Sequence, residues 1–308
     1  MWMPAISRTV AASCAGLLLA AAAEPSAQGE PTVRTVHVSV VDASGAPVTD
    51  LGPADFEVKE DGKVRDVFGA EIDGRPIDIA LLVDDNGTGI NDLRRGLAGF
   101  MQRLYLNANI ALVTTAGQNV TVVDYTGDPR LLQAGISSLV GRAAPRGGHL
   151  IDGIYEAATR LRQREGARRA IVVITFEGEE FSGTSDNRAL DQLRASGAVL
   201  HVITIGRPVL RAMNPLTDGP QGNPVDSNFN RSRVLSDGSK RSGGRYEEMA
   251  VTTGVPAVLA SLARELAVQY IIRYLLPPGV EPSEEIEVHV SRPRLTIYSP
   301  TRVPITQP

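Results

Sequence analysis

The spacing of apolar residues divides the chain into three stretches with different patterns. Residues 32–72 carry short runs of alternating apolar and polar positions broken by turn residues such as Gly45 and Gly62, which predicts β-strands. From residue 76 onward, continuous apolar runs alternate with segments that repeat apolar residues every three or four positions. That pattern is typical of parallel strands joined by helices. After residue 267 the simple alternation returns and predicts further strands.

The middle stretch contains six predicted strands and six predicted helices. The strands are Ile77–Asp84, Ile110–Thr115, Val120–Tyr125, Ala170–Thr175, Val199–Ile205 and Arg245–Met249. The helices are centred on residues 93–104, 130–139, 150–163, 187–195, 232–240 and 256–266. Only a tight turn precedes the third strand, so we expect it to pair antiparallel with the second. The expected fold class is α/β: a doubly wound, mostly parallel sheet, flanked by a small β unit built from both chain ends.

The same patterns divide the chain into four segments. Residues 1–27 combine Arg8, an apolar run and small residues at its end, which predicts a secretory signal peptide. The alternative is an uncleaved membrane anchor, although the apolar run is short for the ~20 residues that span a bilayer. Residues 28–75 form a β-rich preface, 76–267 the α/β domain, and 268–308 strands that pack on the preface. Within the α/β domain, residues 207–230 are rich in Pro and Gly and predict a long polar loop.

Composition narrows the classes of function. The only cysteine is Cys14, inside the predicted signal peptide, so the exported chain is expected to have no disulfide, thiolate metal site or cysteine nucleophile. The formal net charge of −4 gives no support for a nucleic-acid partner. Nearly all of the 31 basic residues are arginines, which is typical of a GC-rich bacterial genome. The five arginines between residues 160 and 169 are expected at a solvated helix end.

These observations together predict an exported bacterial protein in the periplasm, on the cell surface or secreted. No apolar run after the signal peptide is long enough for a stable membrane span.

Three segments of the middle stretch resemble von Willebrand factor A domains. They are residues 83–88 (Val-Asp-Asp-Asn-Gly-Thr), 146–155 and 172–179. Residues 48–63 and 262–270 resemble, more narrowly, the secreted bacterial (acidobacterial-type) A-domain-related family. The resemblance covers residues 32 to 300 approximately, and it implies a doubly wound fold that binds its ligand beyond the carboxyl ends of the strands.

The resemblance also implies a set of candidate metal ligands. In metal-binding A domains the first strand ends in Asp-x-Ser-x-Ser, a second loop adds a threonine and a third adds an aspartate, and these oxygens suit Mg²⁺ or Mn²⁺. Here the matching residues are Asp84, Asn86, Thr88 and Glu177, while Gly148 stands in place of the threonine. A degenerate metal-ion-dependent adhesion site is therefore implied, with no cofactor expected and Mg²⁺ or Mn²⁺ as the alternative.

Four further residues are predicted to form the rim of this site: Asp85, Gly148, His149 and Glu179. We expect a non-enzymatic module that binds a protein or cell-surface ligand. Two alternatives stay open, namely a metal-dependent adhesion module and a hydrolase that uses the acidic loop Glu177–Glu180 as general acid or base. No nucleophile motif or phosphate-binding loop accompanies that acidic loop, so no catalytic residues are expected.

Overall fold

The computed structural model of this chain describes residues 30–85, 89–141, 147–166, 168–206 and 224–305. The predicted signal peptide with Cys14, the candidate ligands Asn86 and Thr88, and residues 207–223 of the predicted polar loop lie outside these residues.

Helices and strands alternate through the middle of the chain. The strands are β1 (Thr32–Val41), β2 (Phe56–Glu60), β3 (Lys63–Ile72), β4 (Ile77–Val83), β5 (Ala108–Thr114), β6 (Val120–Thr126), β7 (Gly147–Gly148), β8 (Arg168–Phe176), β9 (Glu179–Glu180), β10 (Val199–Ile205), β11 (Tyr246–Met249), β12 (Tyr270–Leu276), β13 (Ile286–Val290) and β14 (Thr296–Tyr298). The helices are α1 (Ile90–Leu104), α2 (Pro129–Ser138), α3 (Leu150–Arg162), α4 (Asp186–Ser196), α5 (Pro224–Ser242) and α6 (Val255–Ala267). Two 3-10 turns cover Pro53–Asp55 and Thr252–Gly254.

The central sheet has the strand order β11-β10-β8-β4-β5-β6. Neighbouring strands pair in parallel except β5 and β6, which pair antiparallel. The α/β class predicted from the sequence is confirmed. The edge pairing of β6 also follows the sequence, because the short connection after β5 leaves no room for a crossover helix.

Strand β4 lies in the middle of this sheet, and all seven of its residues are buried. Ile79 and Leu81 pack into one core with residues of α1, α2 and α6, whereas Ala80 and Leu82 pack into a second core with residues of α3, α4 and α5. Successive side chains of a strand point to opposite faces, so an unbroken apolar run is needed to fill both cores.

A second sheet joins the two ends of the chain. Its strand order is β13-β2-β3-β12-β1-β14, and β12 pairs antiparallel with both β1 and β3. Val36, Ile272 and Tyr274 lie in its core, where they are at most 2% exposed. The strands that precede the α/β domain and those that follow it therefore share one hydrophobic core.

A buried arginine lies where the two sheets meet. Arg168, the first residue of β8, is 2% exposed and donates hydrogen bonds to the main-chain oxygens of Asp73 and Arg75 at 3.1 and 2.9 Å. It also donates to Leu266 O and to Gln269 Oε1. Burial lowers its pKa, and neighbouring Asp73 opposes that shift. The expectation of a solvated helix end is therefore wrong for Arg168, because it binds carbonyl groups at the junction.

One element boundary differs from expectation. The predicted polar loop extends to residue 230, but the structure places residues 224–230 in the first turns of α5. Pro224 suits the first turn of a helix, where its missing N–H leaves no hydrogen bond unmade.

Within the described residues, no helix combines the length and apolarity needed to cross a bilayer.

Buried His201 on β10 is expected to make stability depend on pH. Burial, together with the charge of Arg245, lowers its pKa from 6.5 to about 3. Between these values the unfolded chain binds a proton that the folded protein excludes, so stability is complete above pH 6.5 and is lost as the pH falls toward 3. Within this window His201→Asn is expected to remove a slope of about 1.4 kcal/mol per pH unit, measured by denaturant unfolding at several pH values.

The matched control for this experiment is His289→Asn on β13, where the histidine side chain is 58% exposed. That variant keeps His201 and should retain the wild-type pH dependence. A constant free-energy difference between wild type and His201→Asn across the window would contradict the assignment.

Candidate functional site

The carboxyl ends of β4 and β8 bring two predicted site residues together. The main-chain N–H of Asp84 donates to Ile174 O at 2.8 Å, and that of Phe176 donates to Asp84 Oδ2 at 3.3 Å. Glu177 follows directly, with its N–H bonded to Ile205 O at 3.1 Å. The side chains of Asp84 and Glu177 are partly exposed at this edge. Because neighbouring parallel strands end at one edge of the sheet, the chain delivers both carboxylates to one place.

A short parallel pairing joins the loop before α3, which contains β7, to the loop after β8, which contains β9. Gly147 pairs with Glu179 and Gly148 with Glu180, and the N–H of Phe181 donates to Gly148 O at 2.9 Å. Gly148 also forms bridges to residues 116 and 117 after β5. Two loops that are distant in sequence are therefore fixed by main-chain hydrogen bonds.

Gly148 occupies a position that has no room for a side chain. A Cβ atom added there would lie 2.8 Å from the main-chain oxygen of Thr115. A threonine, which the family resemblance implies for metal binding, cannot be accommodated without moving backbone. The missing hydroxyl is thus part of how this loop packs.

His149 and Phe181 form the exposed part of the rim. Their ring centroids lie 6.5 Å apart, the His149 side chain is 37% exposed, and Phe181 is 55% exposed. Below them Asp152 accepts hydrogen bonds from the N–H groups of Gly183 and Thr184 at 3.1 and 2.9 Å. Burial alone would raise the pKa of Asp152, but these hydrogen bonds lower it overall. This carboxylate anchors the loop that carries Phe181.

Two members of the acidic segment differ in exposure. Glu179 is partly exposed beside the rim, whereas Glu180 is 5% exposed. Glu180 Oε1 accepts hydrogen bonds from Ser182 Oγ at 2.5 Å and from the N–H of Ile151 at 3.4 Å, at the start of α3. Burial raises the pKa of Glu180, although the hydrogen bonds and the nearby Arg231 oppose the shift.

The prediction that Asp85 lies on the rim is wrong. Asp85 is 1% exposed, so its side chain lies inside the fold.

A residue that the sequence analysis missed completes the site. Arg231, on α5, donates from Nη2 to Thr175 Oγ1 at 2.8 Å and to Phe176 O at 2.7 Å. Its Nε lies 3.6 Å from Glu180 Oε2, and its side chain is 12% exposed. No sequence signal distinguishes Arg231, because the chain is rich in arginine and this one lies beside the predicted polar loop.

The described residues fit a divalent cation poorly. They contain no group of three or more His, Cys, Asp or Glu side chains arranged to hold a metal ion. Asp84 and Glu177 offer carboxylates, whereas Gly148 offers no side-chain oxygen. The positive charge of Arg231 already acts on both carboxylates. A second cation there would be repelled.

Several solved structures resemble this chain. One is an aerotolerance-related membrane protein from Bacteroides fragilis, with 18% identity over 62% of this chain and 98% of that chain, at a TM-score of 0.46. Another is a von Willebrand factor type A protein from Catenulispora acidiphila, with 10% identity, 87% and 74% coverage, and a TM-score of 0.47. A third is the von Willebrand factor domain of the type V pilus tip protein Mfa5 from Porphyromonas gingivalis, with 11% identity, 62% and 95% coverage, and a TM-score of 0.44.

No protein-family model matches the sequence, and no curated protein matches it either. The chain is thus similar in fold to von Willebrand factor A-like domains, and membership of the narrower secreted bacterial family stays a prediction. At such low identity and TM-score these structures carry no argument about function.

Gly148→Ala is expected to destabilise the protein by about 1–3 kcal/mol, because the new methyl group must displace the Thr115 carbonyl. Thermal or denaturant unfolding measures this change. Gly183→Ala is the matched control, since no heavy atom lies within 4 Å of a Cβ placed at Gly183 in the neighbouring loop. Equal stability of the two variants would show that Gly148 is not sterically required.

Proposed function

We propose that this protein is an exported, non-enzymatic module that binds a protein or cell-surface ligand through the loops at the carboxyl edge of its central sheet. The observation that carries the proposal is the pair of exposed Phe181 and partly exposed His149 on loops fixed by the β7–β9 pairing. Large exposed aromatic side chains on a rigid support are typical anchors of protein interfaces.

Rigidity of the loops favours binding by reducing its entropic cost. Asp152 holds the Phe181 loop through two main-chain N–H groups, and Glu180 holds the same segment against the start of α3. Loops ordered before contact lose little conformational freedom when the partner arrives. The partly exposed acidic side chain of Glu179, two residues before Phe181, favours a partner segment that carries basic groups.

Phe181→Ser is expected to weaken partner binding about 30-fold or more, the effect of losing a central aromatic anchor. The measurement is capture of a partner from the cell envelope of the source bacterium by the immobilised protein lacking residues 1–27, followed by affinity measurement with the captured protein. Phe68→Ser is the matched control, because Phe68 on β3 is 50% exposed and belongs to the other sheet. Equal binding by the two variants, or loss with Phe68→Ser, would contradict the proposal.

The absence of enzymatic activity is part of the proposal and needs its own test. Within the acidic loop Glu180 is buried and hydrogen-bonded at the start of α3, which leaves Glu177 and Glu179 as the partly exposed candidates for acid–base chemistry. We expect no turnover of a panel of esters, phosphates and glycosides. Turnover by the wild type that is lost in Glu177→Gln would support the hydrolase alternative instead.

A further inference from the structure

We propose that Arg231 is the resident cation of the candidate site and takes over the charge-balancing role that a divalent metal has in metal-binding A domains. The proposal deepens the proposed function, because it makes the binding surface independent of metal. It rests on the geometry around one guanidinium group and needs no knowledge of the partner.

The negative charges of three acidic residues act on Arg231. Glu180, at the end of β9, lies 3.6 Å from its Nε, and the charges of Asp84 and Glu177 also act on it. These acids come from the carboxyl ends of β4 and β8 and from the third loop. One positive charge thus serves carboxylates from separate segments, as a metal ion does in a site of oxygen ligands.

Hydrogen bonds to the end of β8 hold the guanidinium group of Arg231 in place. Nη2 donates to Thr175 Oγ1 and to Phe176 O, which fixes α5 against the end of β8. A planar guanidinium presents several N–H donors in a fixed geometry, so it can bridge carbonyl, hydroxyl and carboxylate oxygens at the same time. Arg231 is therefore positioned by the ends of the sheet and is not a free surface charge.

The buried carboxylate of Glu180 depends on Arg231 for charge compensation. Their side chains are 3% and 12% exposed, and an isolated charge buried to that degree is costly. Removal of Arg231 leaves the Glu180 carboxylate without its ion-pair partner, which is the most damaging change to a buried ion pair. The site therefore already has its cation, and Gly148 provides no hydroxyl that would favour a metal over it.

The test compares thermal unfolding in chelator with unfolding in excess Mg²⁺ or Mn²⁺, with calorimetric titration of both ions. The wild type is expected to show no metal-dependent shift and no binding heat. Arg231→Met is expected to unfold about 10 °C lower in chelator. It should regain part of that loss on addition of Mg²⁺ or Mn²⁺, because the buried carboxylate of Glu180 has then lost the positive charge of Arg231.

Arg233→Met is the matched control, since Arg233 lies on the same helix and pairs with Asp186 and Asp237, away from this site. It is expected to show no response to metal. Arg231→Lys keeps the charge and serves if Arg231→Met does not fold; it too should be insensitive to metal.

A saturable stabilisation of the wild type by either ion that disappears in Asp84→Ala would overturn the proposal. So would a metal response in Arg231→Lys, or an Arg231→Met variant that behaves like Arg233→Met. These measurements involve no partner, so failure to capture one would contradict the proposed function alone. A metal-binding wild type would leave partner binding intact and contradict only the role of Arg231.

Discussion

The complete burial of β4 is the constraint on which the rest of the structure depends. A strand in contact with two apolar cores carries apolar side chains on both faces throughout its middle, so it places its functional polar groups only where it ends. The first such group at the carboxyl end is Asp84, and the neighbouring strand β8 ends beside it at Phe176. The location of the site follows from how the core is filled.

Two arginines with little solvent exposure hold the two ends of β8. At its amino end Arg168 binds the carbonyl groups of the connection to β4 and of the end of α6. At its carboxyl end Arg231 binds Phe176 O and lies beside Glu180. Arginine suits both places because its several N–H donors satisfy main-chain oxygens that would otherwise be buried without partners. Arg168 links the β unit to the α/β domain by hydrogen bonds, and Arg231 links α5 to the end of β8 and to Glu180.

The sequence predicted the parts of this arrangement that depend on local pattern. Apolar runs and helical periodicity identified β4, β8 and the helices, and the family resemblance placed Asp84 and Glu177 in one candidate site. The β7–β9 pairing was not predictable, because two-residue strands leave no periodic signal. The role of Arg231 was not predictable either, since it depends on where α5 packs, and the start of α5 was itself predicted several residues too late.

The position of β12 in the second sheet has a consequence for how the chain reaches its native state. β12 lies between β3 and β1, although it follows them by some 200 residues along the chain. Until Tyr270–Leu276 has been delivered, β1 and β3 each present an unpaired strand edge, the kind of surface that recruits other chains into aggregates. The amino-terminal strands therefore depend on the last part of the chain for their protection, and a chain cut short before β12 would have unpaired edges on β1, β2 and β3.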